Sequence, residues 1–96
     1  MWICRVWICG GGDLRGANLV GARLLQADLM NANLAGADLT GADLEEANLQ
    51  GAILRGANCS RANLLCAQLD QADLRGVIWS GANLQGTGLE NRIEVK

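Results

Sequence analysis

The segment Ala32–Gly51 reads ANLAGADLTGADLEEANLQG and contains four copies of one five-residue phrase. Each copy has Ala, then Asp or Asn, then Leu, followed by two variable residues. We name the Leu position the centre of the pentad and the position before it the pre-centre. The phase continues without insertion from Gly12 to Asn91, which makes sixteen pentads. Self-similarity on a short fixed period predicts a repeat architecture.

The spacing of the apolar residues is typical of a strand rather than a helix. A helix needs apolar residues three and four positions apart. Here Ala and Leu are two apart, so they share one face of a strand while the pre-centre residue points away. The two variable residues must then turn the chain, and glycine most readily takes the positive φ at the third position of a type II turn. Glycine fills the last position of nine pentads: 16, 21, 36, 41, 51, 56, 76, 81 and 86.

These tandem repeats resemble the pentapeptide-repeat family, whose signature is Ala, Asp or Asn, Leu and two free positions. The resemblance covers 80 of the 96 residues. It implies an all-β fold, a right-handed quadrilateral β-helix with twenty residues in each coil and about four coils. Residues 12–91 would form the β-helix, residues 1–11 a degenerate apolar N-terminal cap or leader, and residues 92–96 a C-terminal tail. A coil of fifteen residues would instead stack Asp13, Asp28 and Asp43, which like-charge repulsion disfavours.

The composition argues against several classes of function. The chain has no histidine, which removes the commonest general base and metal ligand. The spacing of its four cysteines (Cys4, Cys9, Cys59 and Cys66) does not match a zinc site, so we expect structural thiols. We therefore expect no enzyme activity, no catalytic residue, no cofactor and no metal. Ten acidic against eight basic residues predict no direct nucleic-acid binding. No apolar run is long enough for membrane insertion, and the default compartment is the cytoplasm.

Residues 1–11, MWICRVWICGG, keep the phase of the pentads but not their composition. Cys4 and Cys9 fall on centres, whereas Trp2 and Trp7 fall on the Ala position and are too large for an ordinary coil. Three interpretations remain open at this point. The segment could be an apolar cap over the open end of the β-helix, a contact in a homodimer formed through a coil end, or a disordered leader.

The outward residues supply the candidate interaction surface. Arg15, Arg55 and Arg75 share one twenty-residue column and predict a short basic stripe. Val20, Leu25 and Met30 are successive outward residues of the first coil, and Leu65 shares a column with Leu25. The arginine stripe is either solvated surface or a partner contact. Val20, Leu25 and Met30 are either covered by residues 1–11 or widen a contact patch that includes Trp2 and Trp7. Ile53 and Ile78 stand at pre-centres and should be exposed, while Cys59 and Trp79 replace Leu at centres twenty apart and should stack in the core.

The sequence favours a non-enzymatic scaffold that mediates protein–protein interaction with an unknown partner. The alternative comes from the resemblance: some family members mimic duplex DNA, bind a topoisomerase and so protect gyrase. Those proteins have strongly acidic sides and often carry Phe at the centres. This chain has no Phe, and its only acidic cluster is Asp43, Glu45 and Glu46.

Overall fold

The computed structural model describes residues 12–89, and the fifteen pentads from residue 12 to residue 86 adopt the same backbone conformation. The pre-centre residue forms a parallel β-bridge, and the two residues after the centre form a turn. Eleven bridges each join residues twenty apart, from Asp13–Asn33 to Asn63–Asn83. Four pentads therefore complete one coil, which confirms the expected quadrilateral β-helix. The described part of the chain contains no helix, and its strands are the single bridge residues at 13, 18, 23 and every fifth position to 83.

The four sides of the coil are defined by these bridges. The first side carries the pre-centres 13, 33, 53 and 73, and the second carries 18, 38, 58 and 78. The third carries 23, 43, 63 and 83, and the fourth carries 28, 48 and 68. In the chain order each side is followed by a corner of two residues, which we name the first and second corner residues. Side chains twenty positions apart therefore stack in one column.

The core consists of the Ala and centre positions, as predicted. The side chains from Leu19 to Ala67 at these positions are almost completely buried, and no polar or charged residue is buried among the described ones. Cys59 and Trp79 are both buried on the second side, one coil apart. The last coil is less regular in the pentad where Val77 and Trp79 replace Ala and Leu: the corner bond from Val77 N–H to the Leu74 carbonyl is 3.4 Å, the longest of its kind.

A pentad that has a coil on both sides satisfies four of its five backbone N–H groups with backbone carbonyls. The centre N–H donates to the next coil, as Leu34 does to Ile53 at 2.6 Å, and the pre-centre N–H donates to the previous coil. The second corner residue donates to the next coil, and the residue at the Ala position donates across the corner, as Ala37 does to Leu34 at 3.0 Å. The N–H of the first corner residue is the fifth, and it finds no backbone acceptor within residues 12–89.

The corners are turns with a positive φ at the second corner residue, as the glycine pattern predicted. Nine glycines at this position have φ between 65° and 82°. Six residues with side chains adopt the same conformation, with φ between 57° and 62°: Gln26, Asn31, Glu46, Arg61, Cys66 and Gln71. At Gly51 the neighbouring column also matters, because the side-chain oxygen of Asn31 occupies the place of a Cβ. A substitution at Gly51 would therefore be strained and crowded.

Leu44→Ala should lower the free energy of unfolding by about 2–5 kcal/mol, since the side chain is buried in a stacked column and its loss leaves a cavity. Ala42→Leu should also destabilise, by about 1–3 kcal/mol, because the fully buried Ala position has no spare volume. Denaturant titration measures both. The exposed Ser80→Ala variant is the control and should stay within about 0.5 kcal/mol. A neutral Ala42→Leu would contradict the packing of the Ala column.

Candidate functional site

The Asp or Asn of the signature has a structural task at the corner. Its Oδ1 accepts the N–H of the residue two positions later, which is the fifth donor of the pentad. This bond forms at eleven corners with N···O distances from 3.0 to 3.3 Å. Within residues 12–86 it is missing only where the pre-centre is Arg23, Ile53, Gln68 or Ile78. The sequence interpretation placed these side chains outward but missed the bond, although Asp and Asn commonly accept from a residue two positions on.

The column of Arg15, Arg55 and Arg75 is a set of ion pairs. Arg15 donates from Nε and Nη2 to both carboxylate oxygens of Asp13 at 2.9 Å. Arg75 donates in the same way to Asp73, at 3.0 and 2.8 Å. Arg55 reaches down one coil to Oδ2 of Asp73, with its Nη2 at 2.8 Å. Three guanidinium groups therefore face two carboxylates, and the predicted basic stripe carries only one net positive charge.

These pairs change the acidity of both carboxyl groups. Hydrogen bonds from Arg75 and then from Arg55 hold the pKa of Asp73 well below its usual range. The side-chain bond from Arg15 lowers the pKa of Asp13 in the same way. The Asp73 side chain is 21% exposed and lies between two more exposed arginines. The result is a rigid pair of guanidinium groups at the surface of the third and fourth coils.

The apolar outward residues lie where the sequence predicted. Val20, Leu25 and Met30 are 40%, 52% and 38% exposed at three successive corners of the first coil. Leu65 is half-buried. A cavity of about 170 Å³ opens at the same coil, lined by Leu14, Ala17, Asn18 and Leu19. Trp2 and Trp7 lie outside the described residues.

The acidic cluster on the third side is one coil tall. Asp43, Glu45 and Glu46 belong to the second coil, and Arg23 precedes Asp43 in its column. Gln26 donates to Oε1 of Glu46 at 2.8 Å, and Asn63 donates to Oδ1 of Asp43 at 3.4 Å. Neutral residues, Asn63, Leu65 and Cys66, follow in the next coil. The described surface therefore carries no acidic column that runs the length of the rod.

The environment of Cys59 does not activate its thiol. Cys59 is buried, and burial followed by the nearby charge of Asp38 raises its pKa to about 12. A thiol is a nucleophile or a metal ligand only as its thiolate, so this group is inert. Cys66 is exposed at a corner. Among residues 12–89 no group of three acidic or cysteine side chains could hold a metal ion, and no helix is long and apolar enough to cross a membrane.

Asn83→Ala should lower the free energy of unfolding by about 0.5–1.5 kcal/mol, because it removes the acceptor of the Gln85 N–H at 3.0 Å. Asn83→Asp is the matched control: both variants lose the weak bond to Asn63, but Asp keeps the acceptor. Conversely, Ile78→Asn should stabilise the chain, because it adds an acceptor for the Ser80 N–H. Equal unfolding energies for Asn83→Ala and Asn83→Asp in denaturant would contradict this role of the signature residue.

Asp73→Asn should destabilise the protein at neutral pH, because Asn keeps the corner bond but removes the charge that binds Arg55 and Arg75. Since the folded-state pKa of Asp73 is depressed, the ionic contribution is present above the unfolded value of about 3.9 and is lost as the pH falls below it. The difference in melting temperature between wild type and variant should therefore shrink below pH ~4. Asp28→Asn is the control, since Asp28 makes the same corner bond but no ion pair among the described residues. A pH-independent difference would refute the ionic explanation.

Comparison with known proteins gives the same family by sequence and by structure. The family model for pentapeptide repeats matches in eight copies over residues 13–45, 42–78 and 67–91. A pentapeptide repeat protein from the thylakoid lumen of Arabidopsis thaliana is 29% identical with a TM-score of 0.69, covering 86% of this chain and 68% of that one. No curated protein matches the chain significantly.

Two cyanobacterial structures are more similar in sequence. A pentapeptide repeat protein from Cyanothece 51142 is 45% identical with a TM-score of 0.40, covering 78% of this chain and 54% of that one. HetL from Nostoc sp. strain PCC 7120, involved in heterocyst differentiation regulation, is 41% identical with a TM-score of 0.38, covering 78% and 39%. The chain thus spans about half or less of these two relatives. Its repeats, its four-sided coils and the family match together show that the chain belongs to the pentapeptide-repeat family.

Proposed function

We propose that this chain is a non-enzymatic scaffold that binds a protein partner through the outward side chains of its coils. The observation that supports the proposal is the division of chemistry between inside and outside. The inward positions of residues 12–89 hold a closed apolar core without a buried polar group, whereas every charged side chain faces outward. Such an interior offers no buried polar group that could act on a substrate, and the frame presents its variable side chains at fixed positions.

The best candidate for the contact is the surface of Ile53, Arg55, Asp73, Arg75 and Ile78, which we name the arginine patch. Asp73 fixes both guanidinium groups, so little side-chain freedom remains to be lost on binding. Ile53 and Ile78 are 36% and 49% exposed and provide apolar contact area beside the charges. Arginine beside apolar surface is typical of the residues that dominate binding energy in protein interfaces. The complementary partner surface would carry a carboxylate next to apolar side chains.

The surface disfavours the alternative, DNA mimicry with binding to a topoisomerase. A mimic needs a continuous acidic face, and the cluster of Asp43, Glu45 and Glu46 spans one coil only. On the first side, each aspartate is paired with arginine, so this side presents no acidic face. We therefore retain the scaffold as the proposal.

We propose the cytoplasm as the compartment, where the free thiols of Cys59 and Cys66 would stay reduced. The Arabidopsis relative is a protein of the thylakoid lumen. Immunoblotting of fractionated source cells distinguishes the two compartments.

The arginine patch is tested by capture of a partner from an extract of the source cell on the immobilised full chain. The double variant Arg55→Ala, Arg75→Ala should reduce the amount captured about tenfold or more, since interface arginines that dominate binding contribute at least ~2 kcal/mol. The matched control is Arg15→Ala, which has the same column position and the same kind of ion pair, three coils away from Arg75. Thermal unfolding confirms that both variants are folded.

Two results would count against this proposal. If Arg15→Ala and the double variant reduce capture equally, the contact is not at the arginine patch. If no protein is enriched saturably over a resin that carries the unfolded chain, the scaffold function itself is contradicted.

A further inference from the structure

The N-terminal edge of the first coil has a defined set of unused backbone groups. Pre-centre N–H groups in later coils donate to the residue twenty-one positions earlier, as Asn33 does to Gly12. Within residues 12–89, the N–H groups of Arg23 and Asp28 have no such acceptor. The carbonyls of Arg23, Leu25, Asp28 and Met30 likewise receive no bond from an earlier coil. The third and fourth sides of the first coil therefore present a row of donors and acceptors at a sheet edge.

The phase of residues 2–9 matches this row. Twenty-one positions before Arg23 and Asp28 are Trp2 and Trp7, whose carbonyls would accept the two free N–H groups. The N–H of a centre residue donates to the carbonyl of the residue nineteen positions later. The same rule would pair the N–H of Cys4 with the carbonyl of Arg23, and the N–H of Cys9 with the carbonyl of Asp28. Second corner residues follow the same rule, which pairs Val6 with Leu25 and Gly11 with Met30. Residues 2–9 thus supply a partner for every one of these edge groups except the carbonyl of Met30, whose partner Gly11 supplies, and no insertion is needed.

The side chains of this segment also suit the end of the rod. Cys4 and Cys9 fall on the centres above Leu24 and Leu29. Trp2 and Trp7 fall on the Ala position, where a closed coil has no room for them. Above the first coil, however, their rings can lie across the core toward the first and second sides. There the cavity of about 170 Å³ is lined by Leu14, Ala17, Asn18 and Leu19. A cavity of about 150 Å³ can hold a benzene molecule, so an indole ring is of the right size.

The C-terminal tail does not have this property. Continuation of the phase would place Arg92 at an Ala position and Glu94 at a centre, which would bury two charges. The apolar Ile93 and Val95 would then face outward. The five-residue phase therefore gives apolar residues at the inward positions of residues 2–9 but not of the tail.

We propose that residues 2–9 bind the N-terminal edge of the first coil of the same chain as an in-register half coil, with Trp2 and Trp7 over the open end of the core. The segment covers the sheet edge on the third and fourth sides and places apolar side chains beside Leu25 and Met30. It is a site for the chain's own N-terminal segment rather than for a second copy. The proposal is independent of the scaffold function and of the arginine patch.

Cross-linking tests the register. The double variant Ile8→Cys, Asp28→Cys places two thiols at stacked pre-centres, where neighbouring coils are ~4.8 Å apart and within disulfide range. The matched control, Ile8→Cys with Arg23→Cys, shifts the partner by one pentad. Both are made in full chains in which Cys4, Cys9 and Cys66 are Ala. After oxidation with oxidised glutathione, peptide mass mapping measures the disulfide, which should form at least about tenfold faster in the first variant.

The outcomes separate the possible occupants of the edge. A disulfide between the two introduced thiols of the Ile8→Cys, Asp28→Cys variant, formed within a monomer, supports the proposal. The same disulfide between two chains would show that a second copy occupies the edge and would overturn it. Equal rates in the two variants would mean an unattached leader and would also overturn it.

Fluorescence provides a second measurement that does not depend on the cysteine variants. In Trp79→Phe, only Trp2 and Trp7 remain to emit. Their emission should be blue-shifted relative to the urea-unfolded chain and protected from acrylamide. Emission at the unfolded wavelength with full quenching, in a variant that still melts cooperatively, would refute the proposal.

Discussion

The fold depends on one backbone donor that no neighbouring coil can satisfy. A coil of twenty residues with four corners pairs four of every five N–H groups through the backbone, and the N–H of the first corner residue is left over. An unpaired peptide group near the surface of a tight turn costs stability. The Asp or Asn of the pre-centre supplies the missing acceptor at eleven corners, for instance Asn63 for Leu65 at 3.1 Å. Packing explains Ala and Leu in the signature, and this hydrogen bond explains the residue between them.

This explanation changes which outward residues are informative about function. A pre-centre Asp or Asn is retained for the corner, so its presence says little about a partner. Within residues 12–86, the pre-centres that do not accept the corner N–H are Arg23, Ile53, Gln68 and Ile78. A residue that breaks a local rule without a visible structural gain is a candidate for function. Ile53 and Ile78 are such residues, and they flank the arginines that Asp73 fixes in place.

The sequence alone predicted the features of the fold that depend only on its five-residue period. The burial of Ala42 and Leu44, the glycine corners and the exposure of Val20, Leu25 and Met30 all follow from a period of five. The ion pairs did not follow, because Arg55 meets Asp73 eighteen residues away, a separation that has meaning only once the coil has twenty residues. The corner bonds were missed for a different reason: the alternation of a strand shows that a side chain points outward, but not that it bends back to its own backbone.

The two ends of the rod differ in their sequences, and this difference affects whether rods can stack head to tail. Any coil can in principle stack on another copy, because the donors at one edge match the acceptors at the other, and such head-to-tail contacts repeat without closing. Within residues 12–89, the N–H groups of Leu74 and Leu84 at the C-terminal edge find no backbone acceptor. A half coil formed by residues 2–9 would occupy the complementary edge and carry two Trp side chains that no Ala column can accommodate. Covering one end in this way is enough to stop a polar stack, since every such contact needs both edges.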